Sequence, residues 1–285
     1  MSLFELKTKI RRFLNKSFKT HKPTSFPFIS GNSFRAMAQH VLDEYFDFNP
    51  KQVFKNDIVF VRGNFLNEFF EKIYSKIENP FILISHNDDT NVTEKYKDKV
   101  GKNIIHWFAL NCLVNNDRIT PIPLGIDNLC KSYNNRDLLK YADDPKINKI
   151  VWGFSKNSHE ERILLDKILK NSPICDEIIG LNKRDYLKKI KNYKFIISPQ
   201  GRGLDCHRTW EALYLGIIPI IKKNPWSEYM EKTGIPLLII NDWKEINSFS
   251  EKELEKIYLE KKPGLNSEII FQDYWNKKIY EKILK

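Results

Sequence analysis

The sequence predicts an α/β protein with parallel sheets, arranged in two halves. Three observations predict it: apolar runs without alternation, helical patterns between them, and a polar break in mid-chain. Strands buried on both faces read as continuous apolar runs, and helices must return the chain between parallel neighbours. The break is KSYNNRDLLKYADDPKIN at 131–148, which is poor in strand formers. It separates halves of about 20–140 and 145–260.

Residues 3–18 place Leu6, Ile10, Phe13 and Leu14 on one helical stripe, with Lys7, Lys9, Arg11, Arg12 and Lys16 mostly elsewhere. Such a basic amphipathic helix fits peripheral contact with an anionic membrane surface, or packing on its own protein. After the extended HKPTSFPF, the segment Ser33 to Phe46 reads as a helix, with SGN as its start signal. A strand–helix alternation follows. DIVFVRG is a β-branched strand ending in Gly, FLNEFFEKIYSKI is helical, and PFILISHN is an apolar strand that ends abruptly in polar residues. NIIHWFAL, RITPIPLG, KIVWGFS, EIIGL, KFIISPQG, IIPII and PLLII read as further strands. HEERILLDKILKN, KRDYLKKIKN, CHRTWEALYLG and SEKELEKIYLEK read as helices, and SEIIFQDYWNKKIYEKILK as a terminal helix with large aromatics.

Composition narrows the class. With 285 residues, 41% hydrophobic and 29% charged, the chain has material for a core and is neither a disordered chain, a fibre nor a coiled coil. No apolar run approaches the roughly 18 residues of a membrane span. MSLFELKTKIRRFLNKSF scatters charge where a secretory signal would be apolar, so a cytoplasmic location is expected. Cysteines at 112, 130, 175 and 206 show neither zinc-site pairing nor the density of a disulfide scaffold. The net charge of +11 favours anionic partners, although the lysines are spread along the whole chain.

Open α/β sheets bind ligands beyond the carboxyl ends of their strands, so polar strand ends are the first candidates. The densest is Ser198-Pro199-Gln200-Gly201-Arg202-Gly203, leading into a helix near Asp205 to Arg208. Gly201 and Gly203 let backbone N–H groups approach an anion, and the helix start adds partial positive charge. Arg202 and Arg208 supply guanidinium forks suited to a diphosphate. Glu211, about one turn further, has the chemistry to accept from ribose hydroxyls. Asp205 reads either as a ligand contact or as the helix N-cap. The segment lacks Gly-Lys-Ser/Thr and a true GxGxxG, and so is neither a P-loop nor a dinucleotide fingerprint.

A second candidate is His86-Asn87-Asp88-Asp89, where His86 or Asp89 would serve as a general base. Asp88 with Asp89 also offers an oxygen-ligand pair for a divalent metal, but no further acidic cluster completes a site. Gly31 and Arg35 at a helix entry, and Asn87, Asn111 and Ser155 at strand ends, are candidate acceptor-side or cleft residues, with ordinary turn chemistry as the competing account.

The stretch from Phe195 to Ile220 resembles the nucleotide-sugar signature of the exostosin-like glycosyltransferases of the GT-B class. It reads Ser-Pro-x-Gly-x-Gly-x-Asp-x-x-Arg-x-x-Glu-Ala-Leu-x-x-Gly-x-x-Pro-Ile. Weaker similarity extends over SGNSFR, ILISHNDD, WFALN and PIPLGID. The resemblance implies two Rossmann-like parallel α/β domains facing a cleft. Residues 1–140 would form the acceptor side, with a helix over 268–285 packing back on it, and 141–267 would bind the donor. It implies an inverting transfer from a nucleotide sugar, most simply a UDP-sugar such as UDP-xylose, to a glycan hydroxyl. Arg202 and Arg208 would take the diphosphate, Glu211 the ribose, and Ser198, Gly201, Gly203 and Asp205 would complete the donor site. Arginines and a helix dipole would neutralise the leaving group, so no metal or other cofactor is expected. A catalytically inactive GT-B protein that binds glycan or nucleotide is the alternative. A basic nucleic-acid-binding protein is a third reading, against which stands the lack of any RRM, KH, zinc-finger or helix-turn-helix pattern.

Overall fold

The computed structural model describes residues 24–128 and 144–284, together with Thr8. Apart from Thr8, the helix expected over 3–18 lies outside the described residues, as does most of the polar break. The described chain forms two units, 24–26 with 30–123 and 275–284, and 27–29 with 124–128 and 144–274. The change of unit therefore falls at Pro123–Leu124 and not near residue 140. The reason lies in the second unit, where the Asp205 carboxylate accepts from Leu124 N–H at 2.8 Å and His207 Nδ1 bonds the Gly125 carbonyl at 2.7 Å. The final helix returns to the first unit only from Trp275 onward.

The first unit is a five-stranded parallel sheet in simple sequence order: β1 His40–Leu42, β2 Ile58–Arg62, β3 Phe81–His86, β4 Ile104–Ala109 and β5 Ile119–Pro121. Strand β1 lies where a helix to Phe46 was expected; the helix there, α1, spans only Gly31–Ala36. Two local features end it. Gln39 pairs with the edge of β2 through its backbone and side chain, at 3.1 and 2.8 Å from Ile58. Asp43 Oδ1 then accepts from the N–H groups of Tyr45 and Phe46, closing a turn inside the expected helix.

The aromatic run after β2 is helical but irregular. It passes from a 3₁₀ turn at Gly63–Phe65 through α2, Leu66–Glu68, to a π turn at Phe69–Ile73 and a second 3₁₀ turn at Tyr74–Lys76. A π turn widens the spacing of a helix. Here it accompanies consecutive aromatics that both reach the core, Phe69 beside Phe81 and Phe70 beside Tyr96 and Trp107.

The second unit is also a five-stranded parallel sheet, from β6 Ile147–Trp152, β7 Cys175–Glu177, β8 Tyr193–Ile197, β9 Ile218–Lys222 and β10 Leu238–Ile240. Its order is β10-β9-β8-β6-β7. The connections are α3 Glu161–Lys170, α4 Lys183–Ile190, α5 His207–Tyr214 and α6 Pro225–Lys232; α7 Glu251–Lys261 and α8 Gln272–Ile283 follow β10. Helix α6, absent from the sequence-based expectation, starts at a reciprocal Asn224–Ser227 capping box with Pro225 in its first turn. The EIIGL strand is also shorter than expected. β7 ends at Glu177, and Ile178–Leu181 form a turn with Gly180 at φ 73°.

Apolar cores lie on both sheets: Val59, Val61, Leu83, Trp107 and Phe69 in the first unit, and Ile150, Trp152, Phe195, Ile197, Ile218 and Leu165 in the second. Among the described residues no helix is long and apolar enough to cross a membrane.

Candidate functional site

Strand order alone singles out one place. The first sheet runs in sequence order without reversal, whereas in the second the chain goes from β6 out to β7 and then crosses to the other side of β6 to build β8. Loops leaving β6 and β8 therefore diverge, opening a crevice at their carboxyl ends, the usual ligand position in such sheets.

Two turns form this place. Gly153–Ser155 follows β6, and Ser198–Gly203 follows β8. The Ser198 N–H still belongs to the sheet, donating to Ile220 O at 2.9 Å, while its hydroxyl lies 2.9 Å from Thr209 Oγ1 and 3.3 Å from Cys206 Sγ. Gly201 N–H donates to Gly203 O at 3.0 Å, folding the turn back on itself. Arg202, at its tip, is exposed and makes no hydrogen bond or ion pair with the described residues.

The two turns are tied together by an arginine that the sequence reading missed. Arg162 projects from the first turn of α3 and is 6% exposed. Its Nε donates to Gln200 O at 2.8 Å, Nη1 to Ser155 O at 3.1 Å and Nη2 to Pro199 O at 3.0 Å. The Phe154 ring lies 5.5 Å from this guanidinium and 5.8 Å from that of Arg208. Arg208 donates from Nη2 to Gly153 O at 2.8 Å and from Nε to Tyr186 Oη at 3.2 Å. Burial, and then the Arg208 charge, lower the pKa of Arg162. Burial opposes the charge of Arg208 as well, but Tyr186, Cys206 and Glu211 more than offset it and raise its pKa. Two positive groups thus share one aromatic ring and are held mainly by backbone carbonyls. That arrangement attracts anions.

Beside Arg208 lies a cavity of about 270 Å³, lined by Gly153–Ser155, the Ile178–Leu181 turn and Tyr186. It approaches the lower end of small-molecule sites in size and combines apolar side chains with backbone polar groups. Ser155, expected at the site, lies in its wall. Ile178 to Leu181 and Tyr186 were not anticipated, because that stretch read as strand and helix. Gly153 is required where β6 meets β7, since a Cβ there would stand 1.9 Å from Ile178 O.

Two expected donor residues face inward. Asp205 does not cap α5 with its side chain; Cys206 holds the N-cap position, without a side-chain cap bond. Asp205 Oδ2 instead accepts from Leu124 N–H and Trp210 Nε1–H, both at 2.8 Å, and burial pushes its carboxyl up to about 7. Glu211 is fully buried, with Lys183 Nζ 2.5 Å from its Oε2.

In the first unit, His86 is 1% exposed. Its Nδ1 accepts from Asn87 N–H at 2.7 Å, which leaves Nε2 to donate to Pro123 O at 3.0 Å. Both ring nitrogens are committed in this arrangement, and neither is presented to a substrate hydroxyl. Asn87 has φ 60°, and a Cβ on Gly31 would stand 1.7 Å from its Oδ1, so Gly31 is small because α1 meets this turn. Asp88 accepts from Thr90 N–H at 3.0 Å and from the Thr90 hydroxyl. Asp89 is exposed and makes no hydrogen bond or ion pair with the described residues. Arg35 is paired with Asp43 at 2.8 Å, and the buried Asn111, at φ 49°, takes Val92 N–H on its carbonyl at 3.0 Å. Among the described residues, no three His, Cys, Asp or Glu side chains are grouped to hold a metal.

No protein-family model and no curated protein matches the chain. Among solved structures, the crystal structure of TarM is similar with a TM-score of 0.41 at 11% identity, over 80% of this chain and 55% of that one. The chain thus spans about half the length of TarM, and a likeness of this degree carries no functional weight. What the structure defines by itself is a parallel α/β protein of two units, with a pair of arginines beside a cavity at the strand ends of the second.

Proposed function

We propose that the protein is a glycosyltransferase of the GT-B type, similar to exostosin-like enzymes, which takes a sugar from a nucleoside diphosphate and passes it to a glycan hydroxyl. One observation carries this reading: the cavity beside Tyr186 adjoins the Arg162–Phe154–Arg208 group at the strand-order reversal. A base in the cavity would leave its diphosphate next to fixed positive charge, with the exposed Arg202 as the group that has no other partner among the described residues. UDP is the favoured carrier.

The chemistry follows from charge. The bond from the anomeric carbon to the diphosphate breaks, and the diphosphate leaves with the electron pair. The arginine charges stabilise that developing anion without a metal. The acceptor oxygen bonds the anomeric carbon from the opposite face, inverting it, and its proton passes to a base. Asp89 is carried forward as that base because its carboxylate is exposed, whereas the nitrogens of His86 are committed.

Turnover tests this reading. The protein is incubated with UDP-sugars and a panel of glycan acceptors, and the product's anomeric configuration is read by NMR. The expected result is UDP release with an inverted linkage, insensitive to EDTA and strongly reduced by Arg202→Ala. A retained configuration would refute inversion, and nucleotide binding without sugar transfer across the panel would leave a binding protein in its place.

A further inference from the structure

We infer that Lys183 is the residue that meets the ribose of the bound nucleotide, and that Glu211 stands behind it as an anchor. This rests on the nucleotide reading above and assigns the sugar contact of that same site to a different residue.

Lys183 opens α4 and Glu211 lies in α5, with Nζ and Oε2 2.5 Å apart. The lysine side chain is 35% exposed and the glutamate side chain 1%. Lys183 Nζ also lies 5.8 Å from the ring of Tyr186, one helical turn further along α4 and part of the cavity wall. Of the pair, the ammonium is the group open to solvent and so the one a ligand beside Tyr186 can touch.

Chemistry points the same way. For the ribose to bond Glu211 Oε2 directly, it would have to displace Lys183 and leave a buried carboxylate without its cation. That loss exceeds what one sugar hydrogen bond returns. An ammonium has three N–H donors, so Lys183 can keep its carboxylate partner and donate to a hydroxyl oxygen of the sugar. Glu211 then acts by fixing the lysine's position. The ribose oxygens are acceptors in this contact, the reverse of a carboxylate site.

The test is discrimination between nucleotides and their deoxy analogues. Dissociation constants of UDP and GDP, and of their 2′-deoxy and 3′-deoxy forms, are measured by calorimetry. The proteins are the unsubstituted chain, Glu211→Gln, Lys183→Met and the double variant. The double variant replaces a buried ion pair with two neutral side chains, which folded proteins generally tolerate. The unsubstituted chain should prefer a ribose-containing nucleotide over at least one deoxy form by about tenfold. Glu211→Gln, whose amide oxygen still accepts from Lys183, should keep most of that preference. Both variants lacking Lys183 should lose it. A preference lost in Glu211→Gln, or surviving in the double variant, would overturn the inference. UDP or GDP binding without any ribose preference would overturn it while leaving the nucleotide reading intact. Failure of every nucleotide to bind the unsubstituted chain would overturn that reading instead, and this inference with it.

Discussion

Replacing Asp205 by Asn should flatten the stability of the second unit against pH. The carboxyl is 5% exposed and accepts from Leu124 N–H and Trp210 Nε1–H. Burial is the largest influence on it and outweighs those bonds, lifting its pKa from an ordinary 3.8 to about 7. Between these values the folded protein holds a proton that the unfolded chain has released. Stability therefore falls as pH rises from about 4 to about 7 and levels off above. From pH 5 to pH 8 the loss attributable to this one group is about 3 kcal/mol, at 1.36 kcal/mol per pH unit across the part of the window covered. Both donors bond the same oxygen, so asparagine with its amide oxygen in that place keeps the acceptor for both and has no proton to lose. Urea unfolding followed by tryptophan fluorescence at pH 5 and pH 8 reads the effect. The unsubstituted protein should lose about 3 kcal/mol more between the two pH values than Asp205→Asn does. Identical pH dependence in both proteins would refute the assignment of a buried, proton-holding carboxyl.

Three further outcomes follow from named contacts. Gly153→Ala places a Cβ 1.9 Å from Ile178 O, so the β6 and β7 ends must part. It should cost about 2 kcal/mol in thermal unfolding and abolish nucleotide stabilisation. Arg162→Met leaves three backbone carbonyls without their donor. About 3 kcal/mol of stability should be lost, with Arg162→Lys recovering less than half, and a loss under about 1 kcal/mol would show that the tie between the turns is dispensable. Asp89→Asn should slow sugar transfer about 100-fold or more with an unchanged nucleotide melting shift, and wild-type turnover would remove Asp89 as the base.

Much of the fold was legible because burial on both faces leaves a plain signature. Val59–Val61, Ile82–Ile84 and Phe195–Ile197 are apolar runs that no amphipathic helix requires, and all are buried strand. Strand β1 was missed because His40-Val41-Leu42 is short and sits in a helical pattern, which the Asp43 turn and the Gln39 pairing override. The glycine-rich turn after β8 was legible because an apolar run ends there in Ser-Pro-Gln-Gly-Arg-Gly ahead of a helical pattern. Arg162 was not, although a signal existed: it falls on the same α3 face as Leu165 and Leu169, an arginine where the helix buries its side chains. Asp205 and Glu211 show the opposite limit. Residue type and spacing made both look like ligand contacts, but only tertiary burial shows which way a carboxylate faces. The cavity wall at Ile178–Leu181 was hidden for a related reason, since an apolar turn and a strand end share one composition.

If the strand ends of the second unit bind a nucleoside diphosphate, a nucleotide panel raises the melting temperature of the protein. UDP, GDP, ADP and their sugars are added with and without EDTA and magnesium. At about 100 times its dissociation constant, a bound nucleotide stabilises the folded state by roughly 2.7 kcal/mol, a shift easily resolved. Such a shift is expected with a UDP compound, retained in EDTA and lost in Arg202→Ala. No shift with any nucleotide in the panel would contradict it.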